Sequence, residues 1–274
     1  LYMGQLLGSL AMEQDAAETV KGIYNMCQTV FNMPCAFITP ITVSAIPAIT
    51  SALTLGQHSQ VRSTEESASR IMALISMPCA FGLALLAQPV TQLLGGYSGE
   101  KLMLATRLMS VLGVCIVFNA TVLLTNAIMQ AHGHEKLPVV NMFVGGFVKL
   151  IAVFILTGNP AIGIVGTPIG AMICFLCIAV LNVFSMRRVM KDPPAIVKNL
   201  VKPFAAAAIM GIFVRGALYL LQMLGITSRL ILCGLPVAVG VVVYVIAAVL
   251  FKAITREDCL LLPKGAKIAK LLHL

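Results

Sequence analysis

Charge is what this sequence has least of. Only 11% of its 274 residues are Asp, Glu, Lys or Arg, against roughly 25% in a soluble domain. So few charges cannot cover a globular surface. With 59% hydrophobic residues and a mean hydropathy of +0.98, the composition also excludes a disordered chain, a collagen-like chain and a disulfide scaffold. An integral membrane protein remains. The acidic residues are scarcer still, and all ten fall in segments that read as loops or termini, as do the four histidines. With no carboxylate or imidazole inside an apolar run, the usual proton-relay and cation-binding groups of pumps are lacking. General acid/base pairs and metal-ligand clusters are lacking too. There is no phosphate-binding glycine loop and no HExxH, and His132-Gly-His134 reads better as a turn than as a metal ligand pair. The chain therefore does not read as an enzyme, and no catalytic residue, metal or cofactor is expected. Alternating polarity, which a membrane β-barrel needs, is absent from runs such as VVNMFVGGFVKLIAVFIL.

Long apolar runs are what the sequence has in place of charge. A spanning helix needs about 20 mostly apolar residues. Seven such runs lie between polar punctuation, at roughly 22–56, 68–94, 102–131, 138–157, 162–186, 201–224 and 230–252. An all-helical bundle follows, because lipid leaves every backbone polar group to find an internal partner. The opening LYMGQLLGSL is too short to span and reads as the end of a truncated helix, so a longer protein is expected. The eight cysteines, including Cys174-Phe-Leu-Cys177, sit mostly in apolar runs and read as small polarizable packing residues.

The net charge of +9 reports orientation. Thirteen of the nineteen basic residues fall in segments 57–70, 132–138 and 187–202 and in the tail. The opposite face receives only Lys21, Lys101, Arg107 and Arg229. This is a strong positive-inside bias. It predicts an N-terminal end outside and a cytoplasmic tail, and it removes nucleic acid as the reason for the basic excess.

Polar groups inside the runs carry the candidate function. In GIYNMCQTVFNMPCAFITPITVSAIPAITSAL, Asn25, Gln28, Thr29 and Asn32 fall at i, i+3, i+4 and i+7 and share a helical face. Pro34, Pro40 and Pro47 follow, and Pro78 repeats the Met-Pro-Cys-Ala-Phe context of Pro34. Each interior proline removes a hydrogen bond at about 3 kcal/mol in an ordinary helix. Membrane helices tolerate this where freed carbonyls meet neighbouring helices or a water-filled cavity, so these four are kink candidates. The polar face fits either a cavity lining or a helix–helix contact. Asn141, Gly145 and Lys149 share a second face. A charge at mid-membrane depth costs about 2.5–3.5 kcal/mol on insertion scales, so Lys149 should face protein or water. It reads as a cationic contact for an anionic substrate, with snorkelling or a carbonyl contact as the alternative. Asn119, Asn126 and Gln130 form a third face, and Gly163, Gly166 and Gly170 a small-residue packing face.

YNMCQTVFNMPCAFITPITVSAIPAITSAL, PCAFGLALLAQPVTQLL, NAIMQAHGHEKLPVVNMFVGGFVKLIAVFIL and GIVGTPIGAMI together resemble the C-terminal half of polysaccharide-biosynthesis flippases. These form part of the MOP superfamily, which also holds the MATE antiporters. The nearest branch resembles the stage V sporulation protein B type, with MviN/MurJ lipid II flippases as close relatives. The resemblance implies the last seven of about fourteen helices. Residues 1–21 would be an extracytoplasmic segment and helix end, and 22–186 five helices of the C-terminal lobe. A basic loop with two additional helices would occupy 187–253, and a basic cytoplasmic tail 254–274. It implies alternating-access export of a lipid-linked anionic saccharide for cell-envelope or spore-cortex synthesis, in the plasma membrane. The expected partners are this substrate, membrane lipid and the N-terminal lobe of the same protein. Lipid II flippases of the MurJ type carry an arginine where this sequence has Thr29, and an acid where it has Gln28. That departure favours the sporulation-type branch. A MATE-type cation-coupled drug antiporter would need a coupling carboxylate in these runs; a non-transporting scaffold of the same fold is the other alternative.

Overall fold

The structure, a computed structural model, describes residues 14–190, 192–226, 228–251 and 253. Helices account for nearly all of them. In chain order they are α1 (Gln14–Thr54), α2 (His58–Leu85), the short α3 (Ala87–Gly95), α4 (Gly99–Ala131), α5 (Lys136–Thr157), a 3-10 turn (Gly163–Val165), α6 (Gly166–Val189), α7 (Ile196–Met223) and α8 (Arg229–Leu250). All but α3 and the 3-10 turn are long and apolar enough to span a membrane, which gives the seven expected spans.

The central element is α4, which packs against α1, α2, α3 and α6. Its most apolar stretch is 56% buried, the largest share of any span. Leu108, Met109, Leu112, Ile116, Leu124 and Ile128 supply its buried side chains. Contacts along α1 and α4 advance together: Cys27 bonds to the Ala105 carbonyl, Asn119 to the Cys35 sulfur, and Thr50 to the Ala131 carbonyl. These two helices are therefore parallel, whereas α2 runs antiparallel to α4, with Ser110 bonded to the Ala84 carbonyl. The α5 helix lies almost wholly on α6. The last pair, α7 and α8, pack on each other and on α2, and the Tyr244 hydroxyl donates to the Leu74 carbonyl at 2.9 Å.

Glycines set the close approaches. A Cβ at Gly113 would lie 2.8 Å from the Ala84 backbone nitrogen, so α2 and α4 touch backbone to backbone. At Gly145 it would strike Ile178, and at Gly170 it would lie 2.5 Å from Val153. Gly166 and Gly170 thus form part of the small-residue face expected for GIVGTPIG. Gly163 serves differently, with φ +56° in the turn before α6, a left-handed conformation that favours glycine.

Four boundaries differ most from the sequence reading, the first being that α1 begins at Gln14 and not near residue 22. The polar stretch 57–70 is a helix from His58 onward, after a turn at Gly56 with φ +68°. The apolar threshold marks where lipid begins, and a helix continues through polar residues beyond it. The run 68–94 is broken at Leu86 into α2 and α3. Pro89 supplies the reason: it has no N–H to offer the Leu85 carbonyl, and its ring crowds that carbonyl. The 187–199 loop shrinks to residues 190–195, because Ile196 and Lys198 already belong to α7.

The acidic residues also need correction. Glu65 and Glu66 lie on α2, as does His58, and Glu18 and Glu100 lie on the first turns of α1 and α4, not in loops. Glu65 is 1% exposed, and its Oε1 sits 2.6 Å from His132 Nε2 at the C-terminal cap of α4. The His132 turn is thus fastened to α2 through a buried carboxylate. Around it, Arg62 pairs with Glu66 at 3.2 Å and with Asp192 at 2.9 Å.

Candidate functional site

The α1 helix has two unlike sides. Ile23, Tyr24, Cys27, Val30, Phe31, Ile38 and Ile49 are buried against the bundle, and Phe31 stacks on Phe175 of α6 at 6.4 Å between ring centroids. Asn25, Gln28, Thr29 and Asn32 are all exposed, and Ala36, Thr39, Pro40 and Val43 continue the same surface. Only 28% of the most apolar stretch of α1 is buried. The amides of Asn25, Gln28 and Asn32 make no hydrogen bond to another described residue, while the Thr29 hydroxyl donates back to the Asn25 carbonyl at 2.9 Å.

Prolines shape this surface from within. Pro34, Pro40 and Pro47 lie inside α1, which continues unbroken for 41 residues, and Pro78 lies inside α2. By helix geometry each proline releases the carbonyl four residues earlier, here those of Val30, Ala36 and Val43. Ala36 and Val43 are exposed, so two of the three released carbonyls belong to residues of the uncovered side. Thr39 and Thr50 donate to the carbonyls of Cys35 and Ile46, each at 2.9 Å, a back-bonding that bends helices slightly.

The second candidate face divides. Asn141 is buried and donates to Asn182 Oδ1 at 2.9 Å and to Ser185 Oγ at 3.1 Å. Asn182, 0% exposed, donates in turn to Thr125 Oγ1 and Asn126 Oδ1, each at 2.8 Å. This network joins α4, α5 and α6 through polar groups that lipid could not satisfy. Asn126 belongs to a polar face legible in the sequence, whereas Asn182 does not. Its signal was a lone amide in the apolar run CIAVLNVFS.

Lys149 sits two turns further along α5, half-buried. Among the described residues it has no ion-pair partner. Lys149 makes no hydrogen bond to Asn25, Gln28, Thr29 or Asn32; α1 packs chiefly on α2 and α4, and α5 on α6. Arg107 lies on the first turns of α4, with Glu100, Lys101 and Thr19 around an open cavity of about 610 Å³.

Comparison with known proteins gives three findings. The family described as "Lipid II flippase MurJ" matches residues 5–235. A Bacillus subtilis (strain 168) protein named only as the uncharacterized membrane protein YabM is 23% identical over 271 residues, which is 98% of this chain and 49% of that protein. A solved structure of lipid II flippase MurJ in an inward closed conformation superposes with a TM-score of 0.67 at 13% identity, over 87% of this chain and 48% of that one. That likeness shows the fold. The chain spans about half the length of both relatives.

Proposed function

Because the chain belongs to the lipid II flippase MurJ family, a family of membrane transporters, we propose that it forms the C-terminal half of a flippase that carries a lipid-linked anionic saccharide across the plasma membrane by alternating access. The uncovered polar side of α1 is the observation that carries this reading. Three unpaired amides and two proline-released carbonyls on one surface are costly against lipid but suit a water-filled path between two lobes. The N-terminal lobe of the same protein would form the other wall. Asn25, Gln28, Thr29 and Asn32 would face the saccharide headgroup, and the lipid tail would stay in the bilayer. Lys149 would lend positive charge at mid-depth for an anionic headgroup. Asn141, by its bonds, would hold α5 in place for Lys149.

The basic excess in alternate loops supports an N-terminal end outside and a cytoplasmic tail in this reading. Peptidoglycan or polysaccharide precursors of the cell envelope, including the spore cortex, are the proposed cargo class. A cation-coupled antiporter gains little from Glu65. That carboxylate is already engaged by His132 at 2.6 Å, at the end of α4 next to Thr50, about five helical turns along α1 from Asn32.

The test is reconstitution of the full-length protein in vesicles with a fluorescent lipid-linked saccharide. Wild type should move the label across the bilayer, and Lys149→Ala should slow it at least about tenfold, the equivalent of one lost charged contact of about 1.4 kcal/mol. Normal transport by Lys149→Ala would remove the role of that residue. Absence of saccharide movement by the wild type would remove the flippase reading.

A further inference from the structure

The connection between α6 and α7 holds a feature that lies outside the path proposed above. A cleft of about 380 Å³ opens where α6 ends and α7 begins, lined by Val183, Arg187, Pro194, Val197, Lys198 and Val201. Its wall is apolar: Val197 is 68% exposed and Val201 61% exposed. Its rim is basic, with Arg187 in the last turn of α6 and Lys198 in the first turn of α7, both exposed. The cleft exists because α7 turns away from α6 to pack on α2 and α8, with Pro193 and Pro194 in the six-residue link.

The two cations are left unpaired by particular contacts. Asp192 is the acid in this link, and its carboxylate is held by Arg62 of α2 at 2.9 Å. Arg188, the neighbour of Arg187, is diverted onto the Phe184 ring, with its guanidinium carbon 4.7 Å from the centroid. Among the described residues, neither Arg187 nor Lys198 has an ion-pair partner. Two free cations lining the same cleft as an exposed valine wall, at the end of two spanning helices, match a molecule with an anionic head and an apolar tail. We propose that this cleft is a binding site for an anionic phospholipid of the bilayer. The phosphate would sit between Arg187 and Lys198, and one acyl chain would lie along Val183, Val197 and Val201. Basic pockets between spanning helices on the cytoplasmic side bind such headgroups, and Arg favours phosphate through paired N–H donors. Free phosphate would leave the valine wall uncovered, so the membrane lipid is the occupant. The lipid would brace α7 and α8 against the five-helix part where α6 and α7 part company. The assignment to the cytoplasmic leaflet rests on the orientation proposed above.

The test uses the full-length protein in nanodiscs of equal phosphatidylglycerol and phosphatidylcholine, with retained lipids weighed by native mass spectrometry. Wild type should retain phosphatidylglycerol preferentially. The double variant Arg187→Gln/Lys198→Gln should lower that retention by about tenfold or more, as expected for two interfacial cations. Arg188→Gln should leave it unchanged. Val201→Trp, which fills the apolar wall from an exposed position, should lower it with both charges intact and carries the test if the double variant does not fold. Equal retention of the two lipids by wild type, unaltered retention by the double variant, or an equal loss in Arg188→Gln would overturn the site. Retention in a nanodisc does not depend on which face is cytoplasmic or on transport, so failure here is separable from failure of the flippase reading.

Discussion

Replacing Asn182 by alanine tests the polar network among α4, α5 and α6 directly. The side chain is fully buried and makes three hydrogen bonds, two donated at 2.8 Å and one accepted from Asn141 at 2.9 Å. Interhelical bonds in membrane proteins average about 0.6 kcal/mol, with a maximum of about 1.7. Three of them give about 2 kcal/mol, and the vacated volume adds roughly another 1 kcal/mol. Asn182→Ala should therefore destabilise the full-length protein by about 2–3 kcal/mol. The cost should be cooperative. Asn141→Ala removes one of the same bonds, so the two substitutions together should cost less than their sum by about 0.6–1.7 kcal/mol. Unfolding in mixed micelles, followed by circular dichroism for both single variants and the double, measures each quantity. Strict additivity, or a loss below about 0.5 kcal/mol for Asn182→Ala, would refute the shared network.

Other substitutions probe the remaining contacts. Glu65→Ala removes the buried carboxylate that holds the half-buried His132 and should cost about 1.5–3 kcal/mol by the same unfolding assay, whereas Glu65→Gln keeps a hydrogen-bonding group and should cost less. Gly113→Ala places a methyl against the α2 backbone, 2.8 Å from the Ala84 nitrogen, and should destabilise by about 1–3 kcal/mol. Gly22→Ala meets nothing within 4 Å and should be neutral or stabilising by about 0.5–1 kcal/mol, which controls for the alanine itself. Gln28→Leu/Asn32→Leu alters an exposed surface and should leave unfolding within about 0.5 kcal/mol of wild type while abolishing saccharide movement in reconstituted vesicles.

The sequence made the seven spans legible because apolar length measures the bilayer. It misplaced the helix ends for the same reason, since α2 begins at His58 in a stretch rich in charge. The polar side of α1 was readable from the spacing of Asn25, Gln28, Thr29 and Asn32, because helical periodicity is local. What those residues face is a property of packing, and only the structure separates them from Cys27 and Phe31 on the buried side. Long-range partners were out of reach. Glu65 finds His132 sixty-seven positions away, and Asn141 finds Asn182 forty-one away. The shared spacing of Asn141 and Lys149 suggested a common role, yet one is bound up in an amide network and the other has no ion-pair partner among the described residues.

The uninterrupted length of α1 has a mechanical consequence. Its 41 residues extend about 60 Å, twice the roughly 30 Å hydrocarbon thickness. A rod of that length pivoting about its midpoint converts a tilt of about 10° into displacements of about 5 Å, opposite in sense, at its two ends. The midpoint falls at Pro34, where Cys35 is held to Asn119 of α4 at 3.1 Å. Cys27 and Thr50 tie α1 to α4 on either side of that point, so any such tilt would carry the two parallel helices together.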